Sequence, residues 1–71
     1  MCIANVCKVK KLLADNKALV DFSGLEDIVD IRLLKQIAIK DFLLVHAGFA
    51  LQKIDKKEAL KMLKDIKDTL L

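Results

Sequence analysis

The stretch Asp41–Asp55 reads DFLLVHAGFALQKID and holds the only histidine of the chain. Phe42–Val45 and Phe49–Leu51 are two short apolar runs of the length that buried strands take, and His46-Ala47-Gly48 joins them where a turn or bulge falls. A histidine followed two residues later by glycine sits where the backbone can reverse, because glycine accepts angles that other residues resist. The expectation is a strand junction with the His46 ring at the rim of a barrel rather than inside it.

Working outward toward the N-terminus, Cys7 and Val9 alternate with Lys8 and Lys10, the pattern of a half-buried strand that spans Met1–Leu13. Ala14–Lys17 supplies turn formers. Ala18, Val20 and Phe22 share one face of a second strand, and Ser23-Gly24 offers the next turn. Leu25–Ile31 reads as a third strand whose charges predict a solvated face. Arg32–Gln36 is too brief for a stable helix and reads as a helical turn or loop leading through Ile37-Ala38-Ile39 to the central stretch.

Toward the C-terminus, Asp55 stands at an N-cap position with Glu58 three residues on, and Ile54 is placed to staple against Ala59. Ala59, Leu63, Ile66 and Leu70, joined by Leu60 and Met62, recur at helical spacing, while Lys57, Lys61 and Lys64 share another face. The fold expected is mainly β: a small, partly open barrel of about five strands, of the oligonucleotide-binding kind, over residues 1–54, with a C-terminal α-helix over about 55–70.

The chain has 71 residues, enough for one domain with a modest core. It is 55% hydrophobic and 32% charged without proline, which excludes a disordered tail and a proline-rich linker. No apolar run approaches the ~20 residues of a membrane-spanning helix. Lys8, Lys10 and Lys11 follow the start with no apolar core segment, so no signal peptide is expected and the protein is expected in the cytoplasm. Cys2 and Cys7 would close too small a loop for a useful disulfide, which fits a reducing compartment.

Cys2 is the sharpest chemical candidate. Removal of Met1 would make it the mature N-terminus, with a thiolate and a free amine side by side as soft ligands for iron, copper or zinc. The plainer role is a small hydrophobe at a chain end. His46 offers a metal ligand, an acid or base, or a donor holding the turn; the plainer role is a structural histidine. Cys7, in phase with Val9, reads as a buried inert thiol. Two cysteines and one histidine fall short of a closed zinc site, so any metal is expected to be held transiently or completed by a partner.

The lysines suggest a second reading, a barrel that binds single-stranded nucleic acid. Such barrels stack bases on exposed aromatics, and here Phe22, Phe42 and Phe49 all fit core positions, with no Tyr or Trp. Nucleic acid is therefore the weaker partner. No phosphate-binding glycine loop, nucleophile elbow or catalytic pair is present in the sequence, which argues against an enzyme.

Two segments carry a family likeness: the opening Met1-Cys2-Ile3-Ala4 and Asp41–Ala59, DFLLVHAGFALQKIDKKEA. With the strand-rich middle and terminal helix, the whole chain resembles the HypC/HupF family of hydrogenase maturation chaperones. Members usually continue the opening with an apolar residue, a proline and a glycine where this chain has Asn5, Val6 and Cys7, and Lys40 stands where a glycine is common. The resemblance implies a single domain of this type over residues 1–71 and a non-enzymatic chaperone for nickel-iron hydrogenase. Its implied partners are the scaffold protein HypD and the precursor of the hydrogenase large subunit, and its cargo is an iron unit, Fe(CN)2CO, with no permanently bound cofactor. On that basis Cys2 is the thiolate contact to the iron and His46 its supporting ligand, with Ile3, Ala4, Gly48 and Phe49 joining them at the partner surface.

Overall fold

A computed structural model describes residues 5–62. Five strands, β1 (Asn5–Leu13), β2 (Lys17–Phe22), β3 (Leu25–Asp30), β4 (Phe42–His46) and β5 (Phe49–Ile54), form a closed barrel in the order β1-β2-β3-β5-β4. The barrel is thus closed, where the sequence suggested a partly open one. The four residues before Asn5 that were assigned to the first strand lie outside the described part.

The long first strand makes closure possible. Its first half pairs with β4, Asn5 opposite Val45 and Cys7 opposite Leu43, and its second half with β2, Val9 opposite Val20 and Leu13 opposite Lys17. Between Val9 and Lys11 the register slips, so Lys10 is the extra residue of a bulge that bends β1 from one neighbour to the other. Lys40 and Asp41 extend the seam: Lys40 N–H donates to the Val9 carbonyl and Val9 N–H to the Asp41 carbonyl, each at 2.8 Å.

Alternation then sorts the side chains. Cys7, Val9, Ala18, Val20, Val29, Leu43, Val45 and Ala50 fill the barrel, with Phe22, Ile31, Leu34 and Ile37 packed against them. On the outside, Val6 and Phe42 meet Ala59 of a helix at residues 56–62 that starts just after Asp55, and Leu44, Ile54 and Met62 pack around them. The expected contact between Ile54 and the Ala59 region is present. Leu60 points elsewhere and is 50% exposed, because it lies off the Ala59–Met62 face. Leu63, Lys64, Ile66 and Leu70 lie outside the described residues. Among the described residues, no helix is long and apolar enough to cross a membrane.

Two sequence expectations need correcting. Only Phe42 of the three phenylalanines is fully in the core; Phe22 is half-buried and Phe49 is 43% exposed, because its pairing with His46 puts it on the outer face. The third strand ends at Asp30, not Ile31; Glu26 and Asp27 are exposed as expected, but so is Ile28, and the last charge, Asp30, is buried among cations.

Candidate functional site

His46 closes β4, and a two-residue turn, Ala47-Gly48, returns the chain to Phe49. Both turn residues have positive φ, 53° and 83°, as the hairpin turn whose twist matches paired strands requires. Gly48 takes this angle freely; Ala47 does so at a steric cost. The imidazole is half-buried at the rim, beside Phe49 on the outer face.

Two contacts fix this corner. On one side Asn5, the first described residue, pairs with Val45, immediately before His46. On the other, Asp30 N–H donates to the Gly48 carbonyl at 2.9 Å. Of the residues singled out in the sequence, His46, Gly48 and Phe49 therefore share one corner of the barrel. Cys2, Ile3 and Ala4 lie outside the described residues. Among the described residues no three metal-binding side chains cluster.

Cys7 is walled off. Its thiol is 1% exposed, and burial pushes its pKa up to about 12, with the Leu43 backbone bond partly offsetting and nearby Asp21 adding to the rise. A thiol held protonated is neither nucleophile nor metal ligand at neutral pH, as expected for an inert cysteine.

A feature the sequence did not disclose is the charge cluster around Asp30. The Arg32 backbone N–H donates to its Oδ1 at 2.9 Å, Arg32 Nε lies 2.8 Å from Oδ2, and Lys17 Nζ lies 3.2 Å from Oδ2. These bonds, the Arg32 backbone donor first, hold the carboxyl down to about 2 against the opposing effect of burial. The only hint was the register of two strands, which sets Lys17 opposite Asp30.

A groove of about 490 Å³ opens beside the same corner, lined by Asn5, Phe22, Leu25, Asp27, Val29 and Gly48 among others. No lysine or arginine is among its described lining residues. The corner thus offers an imidazole, an apolar groove and one carboxylate.

Comparison with known proteins gives a consistent result. The family model of the HupF/HypC family matches residues 1–66. Over 68 residues the chain is 40% identical to "Hydrogenase maturation factor HypC" of Rhizobium leguminosarum bv. viciae, covering 96% of this chain and 91% of that protein. Proteins of the same name from Azotobacter chroococcum mcd 1 and Cupriavidus necator are 35% and 34% identical, covering 89% and 90% of this chain and 75% and 71% of theirs. On these matches, this chain belongs to the HupF/HypC family of hydrogenase maturation factors.

Proposed function

We propose that this protein is a non-enzymatic cytoplasmic chaperone of hydrogenase maturation, a single domain over residues 1–71, that binds a HypD-like scaffold and the [NiFe]-hydrogenase large-subunit precursor. Its cargo is the Fe(CN)2CO unit, carried from one partner to the other. Cys2 supplies a thiolate to the iron and His46 a supporting imidazole, a donor pair suited to iron. Ile3, Ala4, Gly48 and Phe49 form the partner surface around them.

The observation that carries this reading is the pairing of Asn5 with Val45. Covalent geometry keeps the Cys2 Cα within about 11 Å of the Asn5 Cα, and Val45 adjoins His46. The chain between Cys2 and Asn5 is short enough to let the thiolate and the imidazole meet one iron. With two cyanides, one carbonyl and these two donors, a six-coordinate iron keeps one position that the scaffold fills first and the hydrogenase precursor later. The exposed Phe49 beside His46 gives a partner an apolar anchor next to the metal.

The test is an infrared spectrum of the anaerobically purified protein, tagged at its C-terminus and co-expressed with the scaffold. Metal-bound cyanide and carbon monoxide absorb where proteins do not. The expected result is that these bands appear with the native chain and vanish in Cys2→Ala although the scaffold still co-purifies. Unchanged bands in Cys2→Ala would remove Cys2 as the iron ligand.

A further inference from the structure

Among the described residues, β3 meets β5 at a single register position, Asp30 opposite Phe49. Upstream of it, residues 25–29 pair with β2 alone. β5 begins too late to cover them, so among the described residues the Leu25–Val29 part of β3 has an open edge on that side although the barrel as a whole is closed.

The direction of that edge follows from the hairpin. Phe22 and Leu25 close the two-residue Ser23-Gly24 turn, where both turn residues have positive φ, so they form the hydrogen-bonded pair. Alternation then turns the N–H and C=O groups of Glu26, Ile28 and Asp30 away from β2. Asp30 fixes the phase, because its N–H reaches Gly48 on the β5 side. Ile28 N–H, two residues back on the same edge, is met by the carboxylate of its own neighbour Asp27 at 2.7 Å. A side chain one residue away covers a donor that a strand neighbour would otherwise take.

The two faces of this open half differ in chemistry. Leu25, Asp27 and Val29 line the groove together with Phe22, Val45 and Gly48, a largely apolar floor at the level where a further strand would lie. On the outer face the register sets Lys8 opposite Asp21 and Asp21 opposite Glu26. Two carboxylates directly across a ladder repel. The next position in that row lies beyond β3, and a cation there would relieve them. A second copy of this chain would bring its own acidic edge to the same place, which disfavours self-pairing.

We infer that the open half of β3 is a strand-addition site for an extended segment of a protein partner that alternates apolar and basic side chains. Main-chain bonds form to Glu26 and Ile28, apolar side chains enter the groove, and a basic side chain stands beside Glu26. The site does not depend on Cys2 or on iron.

Residue-resolved amide exchange on the intact chain tests it, with a capped peptide of alternating valine and lysine, about seven residues long, as the probe. In the free protein Glu26 should exchange rapidly, and Ile28, held only by its neighbour's exposed carboxylate, faster than the amides of the β2 ladder. The peptide should slow both by at least about tenfold at saturation, and a valine–glutamate peptide should not. Ile28→Pro, which removes a donor outside the β2 ladder, should abolish the protection while the barrel persists. Glu26→Lys, which also ends the repulsion with Asp21, should reverse the preference between the two peptides and decides the matter if Ile28→Pro does not fold. Equal response to both peptides, or none, overturns the inference. So does protection in the free chain, which would mean the edge is already covered by the chain itself, or protection that grows with protein concentration, which would mean a second copy is the occupant. A protein that passes this test yet never acquires the infrared bands keeps the strand-addition site and loses the iron-carrying role.

Discussion

The backbone N–H of Asp30 donates to the Gly48 carbonyl at 2.9 Å, and through this bond β3 grips the turn that follows His46. The same residue's carboxylate gathers Arg32 and Lys17, so one aspartate both closes the barrel and ties down the start of the β3–β4 connection. The turn after His46 is thus held through the backbone of a residue whose side chain anchors the next connection.

Acid should therefore loosen the barrel at this seam. The folded Asp30 carboxyl titrates near 2, below its ordinary 3.8, so the folded state binds the proton less readily than the unfolded one. Its contribution is fully present above about pH 4 and is lost as pH falls toward 2. Thermal midpoints of the native chain and Asp30→Asn, followed from pH 6 downward, should converge over this window. A native chain whose pH dependence matches that of Asp30→Asn throughout would show that the cluster adds nothing to stability.

Lys40 holds φ at 79° while its N–H donates to the Val9 carbonyl. A side chain in the left-handed region costs about 1–2 kcal/mol, and glycine, although it loses about 0.4–1 kcal/mol more conformational freedom on folding, avoids that cost. Lys40→Gly should raise stability by roughly 0.5–1 kcal/mol, read as a higher urea midpoint with an unchanged slope. A lower midpoint would mean that the lysine side chain contributes more than its backbone strain costs.

The barrel itself was legible because alternation survives even where propensities are weak: Ala18 and Val20 point inward as their spacing requires, and Cys7 and Val9 likewise. The His46-Ala47-Gly48 reversal was legible because glycine marks it. Asp30 was not, since burying a carboxylate depends on cations that pairing brings from Lys17 and a bend brings from Arg32, and no local pattern records either. Phe49 was misread for a related reason: an apolar residue after a turn looks like core until the register opposite His46 shows which face it takes. The open half of β3 escaped notice because where a neighbouring strand begins is a property of the barrel, not of β3.

Cys7 should behave as packing material. Removing its sulfur in Cys7→Ala leaves a small void in a closed interior, which should cost about 1–2 kcal/mol. Because the buried thiol titrates near 12 against an ordinary 9.0, the folded state keeps its proton where the unfolded state loses it. Its stabilising effect is complete below about pH 9 and declines as pH rises toward 12. Alkylation by iodoacetamide at pH 8 should proceed only as fast as the protein opens, and rapid modification of the folded chain would contradict its burial.

The described part of the C-terminal helix, residues 56–62, should be held in place by its docking on the barrel. Ala59 is fully buried against Val6 and Phe42. Ala59→Leu should therefore overpack the contact at a cost of about 1–3 kcal/mol, and Phe42→Ala should empty it at about 3–5 kcal/mol. Circular dichroism should show helical signal falling before strand signal on heating Ala59→Leu. A single coincident transition would mean the helix and barrel unfold as one unit.

Replacing His46 separates its chemical role from its place in the fold. The side chain is half-buried at a strand end, and the hairpin's turn geometry resides in Ala47 and Gly48 rather than in the imidazole. His46→Gln should consequently change stability by less than about 1 kcal/mol, since it leaves no large cavity and alters no turn angle. In the co-expressed complex with the scaffold, however, it should weaken or shift the cyanide and carbon monoxide bands, because a carboxamide is a poorer iron donor than an imidazole. The Cys2→Ala variant should lose the bands outright. Bands of native position and strength in a stable His46→Gln protein would assign the imidazole to holding the rim and leave Cys2 as the single iron ligand from this chain.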